Sequence, residues 1–399
     1  MKKILLPSFF FLSTFGFSQS FVQAYKNRTN QITQTKINTL LNEFAGLGIK
    51  TSGSTANNNA LAWLKSEYAS YGYTTAQMTE NQFTFGSNPT KQSTNLIVTK
   101  IGTTYPTKFI IICGHYDTIN GPGVNDNGSG TAIILEAARI LQNVSSEYSI
   151  KFINFSGEEQ GLYGSQAYVT NVVKATNPRM DIILVLNLDE VGGVAGMTNN
   201  KIIAEKDGTP IYPKGMYSTY PSSNNPASAM KTTELKNSML NYSNITPVDG
   251  YIERSDYMPF EKEGYVVTGL YEYNQINEPH TANDTYANMD PVYVYNVAQG
   301  VVGAIQHFAT ASTDVTLAAN SVKSLNDEVS IFPNPANDFL NIGIAGKGYS
   351  TLISDMSGKL VMQSTDQQSL DTSKLKNGVY LLKVTRNGES ATKKVIIKR

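Results

Sequence analysis

Apolar residues cluster in short runs of the kind that form buried strands. Segments long enough for a helix separate most of these runs, and alternating strands and helices indicate an α/β sheet covered by helices on both faces. The runs span residues 95–98, 108–113, 150–155, 182–188 and 265–270. We therefore predict an α/β domain whose central strands are buried.

Helical periodicity occurs between and around these strands. In residues 58–71, for example, Leu61, Leu64 and Tyr68 recur at the spacing that places them on one face of a helix. Similar patterns predict further helices at residues 129–141, 164–174 and 291–309.

Beyond residue 311 the pattern changes. Residues 312–327 are polar and have no clear period, which is typical of a linker. Short strand-like runs follow at residues 329–332, 339–344, 351–354, 359–362, 379–384 and 394–397. Turn pairs such as Asn377-Gly378 and Asn387-Gly388 lie among these runs. We predict a small all-β sandwich at residues 328–399, after the α/β domain, which we place at residues 20–311.

The first 19 residues have the three parts of a secretory signal peptide. Lys2 and Lys3 precede an apolar run at residues 4–17, and small polar residues follow it. The alternative, a membrane anchor, needs a longer uninterrupted span of about 20 residues. No later segment is apolar enough to cross a bilayer, so we expect no stable membrane span after the signal is removed.

The composition and the net charge further limit the class of protein. The chain has 399 residues, and its 32 basic and 32 acidic side chains balance to a net charge of zero, which gives no basic footprint for nucleic acid. The one cysteine, Cys113, has no partner for an internal disulfide. Because it lies in an apolar run, we expect a buried, inert thiol.

Histidine and carboxylate clusters follow several of the predicted strands. His115 comes directly after one strand and Asp126 a few residues later, while the next two strands are followed by Glu158-Glu159 and by Asp189. A further cluster contains His280. Ligand sites of open α/β sheets lie at the carboxyl ends of strands, and imidazole and carboxylate are the ligands that zinc takes when thiolates are absent. Together these clusters predict a metal hydrolase.

The clusters contain the groups that a two-metal hydrolase needs. Such a site requires a bridging carboxylate, terminal ligands and a separate base for the attacking water. Asp117 lies two residues after His115 and is expected to accept its second ring proton. Glu158 and Glu159 are adjacent, so one can bind metal while the other acts as base. Taken singly, the His115 cluster also fits a hydrogen-bonded strand-end histidine, and the glutamate pair also fits a solvated loop.

With these motifs, residues 58–308 resemble the secreted zinc aminopeptidases typified by bacterial leucyl aminopeptidase, a family that also includes glutamate carboxypeptidases and glutaminyl cyclases. The resemblance implies a zinc exopeptidase fold, a mixed, mostly parallel sheet of about eight strands between helices. It also implies a role for each motif residue. Asp126 would bridge two zinc ions, with Glu159 and His280 completing one site, His115 and Asp189 completing the other, Glu158 acting as general base, and Asp117 supporting His115.

Two positions depart from the family pattern. Relatives often have Ser-Asp-His where this chain has Ser255-Asp256-Tyr257, and the tyrosine that stabilises the tetrahedral intermediate in some relatives has no unambiguous match. Tyr251 is the nearest candidate, although an ordinary loop aromatic is an equal alternative. Arg254 and Asp256 offer a structural ion pair as another alternative, and we expect His307 to be structural.

The C-terminal segment resembles the sorting domain that the type IX secretion machinery recognises. The resemblance rests on Phe332-Pro333-Asn334-Pro335, on residues 355–359 and 375–380, and on the final Lys398-Arg399. It implies export through the periplasm to the medium or the cell surface. A small β-module that binds carbohydrate or cell wall is the alternative.

These features predict a secreted di-zinc exopeptidase that acts on peptides, most simply an aminopeptidase. Within the family, the alternatives are a carboxypeptidase and a glutaminyl cyclase, which would use a single zinc. A complete second ligand set that includes His115 argues against the cyclase. Outside the enzymes, a non-catalytic binding module on the same fold is the remaining alternative.

Overall fold

The structure is a computed structural model that describes residues 20–87, 90–208, 225–275, 280–314, 325, 329–344, 346–386 and 389–399. The predicted signal peptide, most of the predicted linker and the Asn387-Gly388 turn lie outside the described residues. The contacts divide the chain into two units, Met1–Asp314 and Val315–Arg399. The exact domain boundaries stay predictions.

The first unit is built on an eight-stranded sheet with the strand order β1-β2-β4-β3-β5-β8-β6-β7. Strands β4, β3, β5 and β8 run parallel to one another, as do β6 and β7, and the remaining pairings are antiparallel. This is the predicted mixed, mostly parallel sheet. The strands are β1 (Met78–Phe85), β2 (Lys91–Lys100), β3 (Tyr105–His115), β4 (Tyr148–Phe155), β5 (Asp181–Leu188), β6 (Lys201–Lys206), β7 (Thr246–Tyr251) and β8 (Val267–Glu272).

Helices pack against both faces of this sheet. They are α1 (Gln23–Thr29), α2 (Gln34–Gly46), α3 (Thr55–Ser70), α4 (Gly128–Leu141), α5 (Tyr163–Tyr168) with a π-helical turn at Val169–Val173, α6 (Asn225–Tyr242), α7 (Met258–Lys262) and α8 (Pro291–Phe308). A short 3₁₀ helix spans Thr75–Gln77. Among the described residues, no helix combines the length and apolarity needed to cross a membrane.

Alternation along strand β3 shows how both faces are buried. Ile110 and Ile112 belong to the core on the side of α4 and α8, whereas Ile111 and Cys113 belong to the core beneath α5 and α7. Successive side chains of a strand point to opposite faces, so an unbroken apolar run is what a doubly covered strand requires. Cys113 is buried, as predicted, and burial raises the pKa of its thiol well above the ordinary value.

The second unit consists of two antiparallel sheets that share one apolar core. One sheet has the order β13-β10-β9 and the other β12-β11-β14-β15. The core contains Leu340 and Ile342 from the first sheet and Ile353 and Leu382 from the second, as expected for a small β-sandwich. The strands are β9 (Ser330–Phe332), β10 (Phe339–Gly343), β11 (Tyr349–Asp355), β12 (Leu360–Thr365), β13 (Ser369–Asp371), β14 (Gly378–Arg386) and β15 (Glu389–Ile397).

A chain that ends at Asp314 should fold and show the same predicted hydrolytic activity as the full-length protein, because the first unit has its own core. Hydrogen bonds also hold its last residues, since Tyr25 Oη donates to the Ala311 carbonyl and the Ser312 amide donates to the Ser145 carbonyl. The measurement is the circular dichroism spectrum and peptide hydrolysis of the shortened and full-length proteins. An insoluble or inactive short form beside an active full-length form would show that the β-unit belongs to the working enzyme.

Candidate metal centre

Three neighbouring parallel strands bring the candidate ligands to one edge of the sheet. His115 is the last residue of β3, Asp189 follows β5 directly, and Glu158 and Glu159 follow β4 after a short turn. Strands β4, β3 and β5 are adjacent and parallel, so their carboxyl ends lie together. Asp126, in the loop before α4, and His280, beyond β8, reach the same edge.

The first group joins His115, Asp126 and Asp189. His115 Nε2 lies 3.2 Å from Asp126 Oδ1 and 3.2 Å from Asp189 Oδ1. All the ligand atoms of this group lie within 4.8 Å of one another. His115 and Asp126 are almost fully buried, so their charges interact in a region largely shielded from solvent.

The second group joins Asp126, Glu159 and His280. His280 Nε2 lies 2.9 Å from Asp126 Oδ2 and 3.2 Å from Glu159 Oε2. Asp126 therefore presents one carboxylate oxygen to each group, which is the arrangement expected of a bridging carboxylate. The His280 side chain is about half exposed, so the centre opens to solvent on this side.

The ring of His115 is oriented by its second nitrogen. Nδ1 lies 3.1 Å from the backbone carbonyl oxygen of Asp117 and 3.7 Å from the Asp117 carboxylate. The carbonyl, rather than the predicted carboxylate, is thus the nearer acceptor. An Nδ1–H that donates to it leaves the Nε2 lone pair directed at the carboxylates, as a metal ligand requires. The Asp117 carboxylate instead accepts a 3.4 Å hydrogen bond from the Glu158 amide.

Asp284 fixes the loop that carries Asp126. Its Oδ1 accepts from the Asn125 amide at 2.7 Å and its Oδ2 accepts from the Asp126 amide at 2.9 Å. The same loop is tied to α4 by Asn127, whose side chain caps the helix at the Gly130 amide. Sequence reasoning assigned Asp284 no role, although it lies four residues after His280 in the same polar motif.

Ser255 holds Asp189 from the other side. Its hydroxyl donates to Asp189 Oδ2 at 2.6 Å and accepts from Asn187 Nδ2 at 2.8 Å. These two hydrogen bonds engage Asp189 Oδ2 and leave Asp189 Oδ1 to face His115. Asn187 belongs to β5 and Ser255 to the segment before α7, so no local pattern in the sequence connects them.

The two adjacent glutamates differ in their relation to the candidate ligand groups. Glu159 has a 3% exposed side chain and belongs to the second group, whereas Glu158 belongs to neither group. Gly157 precedes them with φ of 77°, a left-handed conformation that glycine adopts at low cost. The turn continues through the Gly161 and Leu162 amides, which both donate to the Glu158 carbonyl.

The electrostatics of the centre favour added positive charge. Burial and the nearby Asp126 raise the pKa of Glu159 to about 8, and burial raises the pKa of Glu158 well above its ordinary value. The hydrogen bond to Asp126 raises the pKa of His280 to about 9. Carboxylates that resist ionisation beside histidines that bind protons indicate a surplus of negative charge. Two metal cations would neutralise it, and the nitrogen and oxygen donors suit zinc.

Comparison with known proteins identifies the family. Residues 95–305, more than half of the chain, match peptidase family M28. The chain belongs to this family. Residues 330–398 match a secretion system C-terminal sorting domain.

Several curated M28-like relatives align with parts of the chain. Aminopeptidase YwaD of Bacillus subtilis is 44% identical over 84 residues, which is 21% of this chain and 18% of the relative. A probable zinc metalloprotease of Leptosphaeria maculans is 29% identical over 222 residues, or 50% of this chain and 51% of the relative. The chain thus spans about half or less of the length of these relatives.

Solved structures confirm the fold of the M28 unit. LapA aminopeptidase of Legionella pneumophila has a TM-score of 0.59 at 18% identity, covering 77% of this chain and 80% of that one. Glutaminyl cyclase of Macrostomum lignano has a TM-score of 0.60 at 16% identity, covering 74% and 94%. A leucine aminopeptidase precursor of Bacteroides thetaiotaomicron has a TM-score of 0.56 at 16% identity, covering 69% and 97%.

A cavity of about 500 Å³ lies beside the candidate metal centre. Asp189 and Ser255 form part of its wall, and Tyr251, at the end of β7, forms another part. The Nζ of Lys206 lies 5.3 Å from the centre of the Tyr251 ring. The structure thus places Tyr251 in the wall of a cavity shared with Asp189, and its role toward a reaction intermediate stays a prediction.

The structure also places the other residues that the sequence analysis singled out. Asp256 is completely buried and Arg254 is exposed, and no ion pair joins these two described residues, so the proposed Arg254–Asp256 pair is wrong. Tyr257, where relatives often have histidine, is buried, and its hydroxyl donates to Glu205 Oε2 at 3.0 Å. His307 lies 2.8 Å from the Tyr242 hydroxyl and packs edge-on against Tyr25, away from the metal centre, as predicted for a structural histidine.

Proposed function

We propose that this M28 protein is a di-zinc aminopeptidase that removes N-terminal residues from peptides. The observation that carries the proposal is the Asp126 carboxylate, which presents one oxygen to each of two histidine–carboxylate groups. Membership of a peptidase family, with relatives named zinc metalloprotease and aminopeptidase, supports it. The two groups offer imidazole nitrogen and carboxylate oxygen, which is the donor set of hydrolytic zinc sites.

The ligands would divide between two ions. His115 and Asp189 would hold one, Glu159 and His280 the other, and Asp126 both. Bound at such a site, zinc ions polarise a carbonyl group and bring the pKa of water toward neutrality. The rest of the chemistry falls to groups of the chain itself.

Glu158 is the group best placed to move the proton. It lies in the turn with Glu159 but belongs to neither ligand group, so its carboxylate is left for acid–base chemistry. Burial raises its pKa above the ordinary value, and a carboxylate with a raised pKa is a stronger base. In the proposed reaction Glu158 takes a proton from the attacking water and then gives it to the nitrogen of the leaving amine.

A glutaminyl cyclase is the second candidate, because one such enzyme shares the fold. That activity would need a single zinc, whereas the described residues offer two complete ligand groups. The presence of a second complete group, formed by His115, Asp126 and Asp189, therefore favours the peptidase over the cyclase. A carboxypeptidase or a non-catalytic module would be recognised by the assay below.

The C-terminal unit supports a proposal for export. Its match to a secretion sorting domain leads us to propose recognition by type IX secretion machinery, passage through the periplasm, and release to the medium or the cell surface. Deletion of the unit in the native host should then leave the enzyme inside the cell.

Peptides with a free N-terminus should be hydrolysed, and their N-acetylated counterparts should be cleaved far more slowly. An aminopeptidase recognises the α-amino group beside its metals, and acetylation removes the charge of that group. The measurement is the rate of amino acid release from matched peptides that are free, N-acetylated or C-amidated. Equal rates on the free and acetylated peptides would exclude an aminopeptidase, and dependence on a free carboxyl terminus would indicate a carboxypeptidase.

A further inference from the structure

The cavity beside the metal centre has an acidic interior. Its wall includes four carboxylate residues in addition to Asp189, namely Glu190, Glu205, Asp249 and Glu253. Among the described residues that line it, Arg254 is the only lysine or arginine, and its side chain is exposed. A volume of about 500 Å³ lies within the range of small-molecule pockets and accommodates the longest amino acid side chains.

The acids of this cavity differ in whether a cation lies beside them. Asp249 is paired with Lys236 at 2.5 Å and with Lys206 at 3.6 Å. Neither Glu190 nor Glu205 has a lysine, arginine or histidine nitrogen within 4.0 Å among the residues that the structure describes. A buried carboxylate without a counter-ion is costly, and natural proteins rarely retain one without a use.

Glu205 is built into the sheet. It lies on β6, where its neighbours across the two adjoining strands are Gly269 of β8 and Gly250 of β7. A side chain at Gly269 would collide with the Glu205 carboxylate and with the Tyr257 ring. Gly269 therefore leaves the space in which this carboxylate lies, and Glu205 is only 5% exposed.

The surroundings of Glu205 hold it in place but do not neutralise it. The Tyr257 hydroxyl donates to its Oε2 at 3.0 Å and itself accepts from the Glu253 amide at 2.8 Å. Burial raises the pKa of Glu205 to about 8, so the carboxyl favours its neutral form until a positive charge arrives.

The cavity is continuous with the metal centre. Ser255 lines it and donates to Asp189, and Glu190 follows Asp189 directly in the chain. Glu190 has φ of 44°, a left-handed conformation that residues other than glycine seldom adopt. The walls between these acids contain Ile203 and the rings of Tyr251 and Tyr271, against which a chain of methylene groups can pack.

We propose that this cavity receives the side chain of the first residue of the substrate and selects lysine or arginine, with Glu205 as the counter-ion of its cationic end. The proposal rests on the aminopeptidase function and names its substrate class. A substrate cation would supply the partner that Glu205 lacks, and its aliphatic stem would lie along the tyrosine and isoleucine wall.

The test compares lysyl and norleucyl p-nitroanilides, which differ by the terminal ammonium group. For the full-length, zinc-loaded protein, kcat/KM should be at least about 10-fold higher for the lysyl substrate. In Glu205→Gln, which keeps the acceptor for Tyr257, kcat/KM for the lysyl substrate should fall by about 30-fold or more. The norleucyl rate of this variant should change little, and that rate also reports whether the variant is folded.

Glu43→Gln is the matched control, because it makes the same change at an exposed position of α2. It should leave both rates as they are. A wild-type enzyme that prefers the norleucyl substrate would overturn the proposed selectivity while leaving the aminopeptidase intact. An unchanged lysyl to norleucyl ratio in Glu205→Gln would exclude Glu205 as the counter-ion. If the wild type cleaved neither substrate but cleaved N-acetylated peptides, the aminopeptidase function would fail, and this proposal with it.

Discussion

Glu158→Gln should lower kcat by about 100-fold or more, because the amide cannot take the proton of the attacking water. Both zinc ions should remain bound, since Glu158 belongs to neither group of candidate ligands. The change preserves the size of the side chain, and the turn is held through the Glu158 carbonyl, which is unaffected. The measurement is kcat with a free-N-terminal peptide together with the zinc content of the purified protein.

Glu159→Gln is the variant to compare with Glu158→Gln, because it distinguishes loss of a metal ligand from loss of the base. It makes the same chemical change one residue along the chain, where Glu159 Oε2 lies 3.2 Å from His280 Nε2. A neutral amide is a weaker zinc ligand than a carboxylate, so this variant should lose metal as well as activity. If Glu158→Gln lost zinc while Glu159→Gln kept it, the assignments of ligand and base would be reversed.

The central strands could be predicted from sequence because both their faces are buried. Residues 108–113 and 182–188 are almost continuously apolar, and they lie within β3 and β5. The two edge strands, β1 and β7, gave no such signal. Strand β1 has a largely polar sequence in which Phe83 and Phe85 are the buried residues, and β7 contains proline, aspartate and glycine within six residues.

Helix α2 was not predicted, although its sequence has the apolar spacing of a helix. Ile37, Leu40, Leu41 and Phe44 of α2 have helical spacing, and all four are buried. Helix α6 is different, since its apolar residues do not concentrate on one side strongly enough to predict its contacts. It is buried by tertiary packing against α8, which the local sequence does not specify.

The candidate ligands could be located because each is tied to a strand end, where sequence position and spatial position coincide. Residues that act across elements could not. Ser255 reaches Asp189 from a different segment, and Asp284 reaches back to the Asp126 loop, so their contacts exist only in the folded chain. The acidic cavity was invisible for the same reason, because β6 and β7, which form much of it, were not predicted as strands.

Asp126→Asn should remove both zinc ions and reduce peptide hydrolysis to the background rate. Every other candidate ligand belongs to one group, whereas Asp126 Oδ1 faces His115 and its Oδ2 faces His280. An amide offers one oxygen and no negative charge, so neither group keeps its shared anionic ligand. Zinc content should therefore fall from about two ions per chain to about none.

Asp181→Asn is the control, because it makes the same substitution at the opposite end of β5, where the side chain is about half exposed. This variant should keep both its zinc and its activity. Thermal unfolding of both variants, with and without added zinc, separates loss of metal from loss of fold: Asp126→Asn should be folded but no longer stabilised by zinc. A variant that loses a single ion and keeps the other would show that Asp126 serves one group alone, and the bridging role would have to be abandoned.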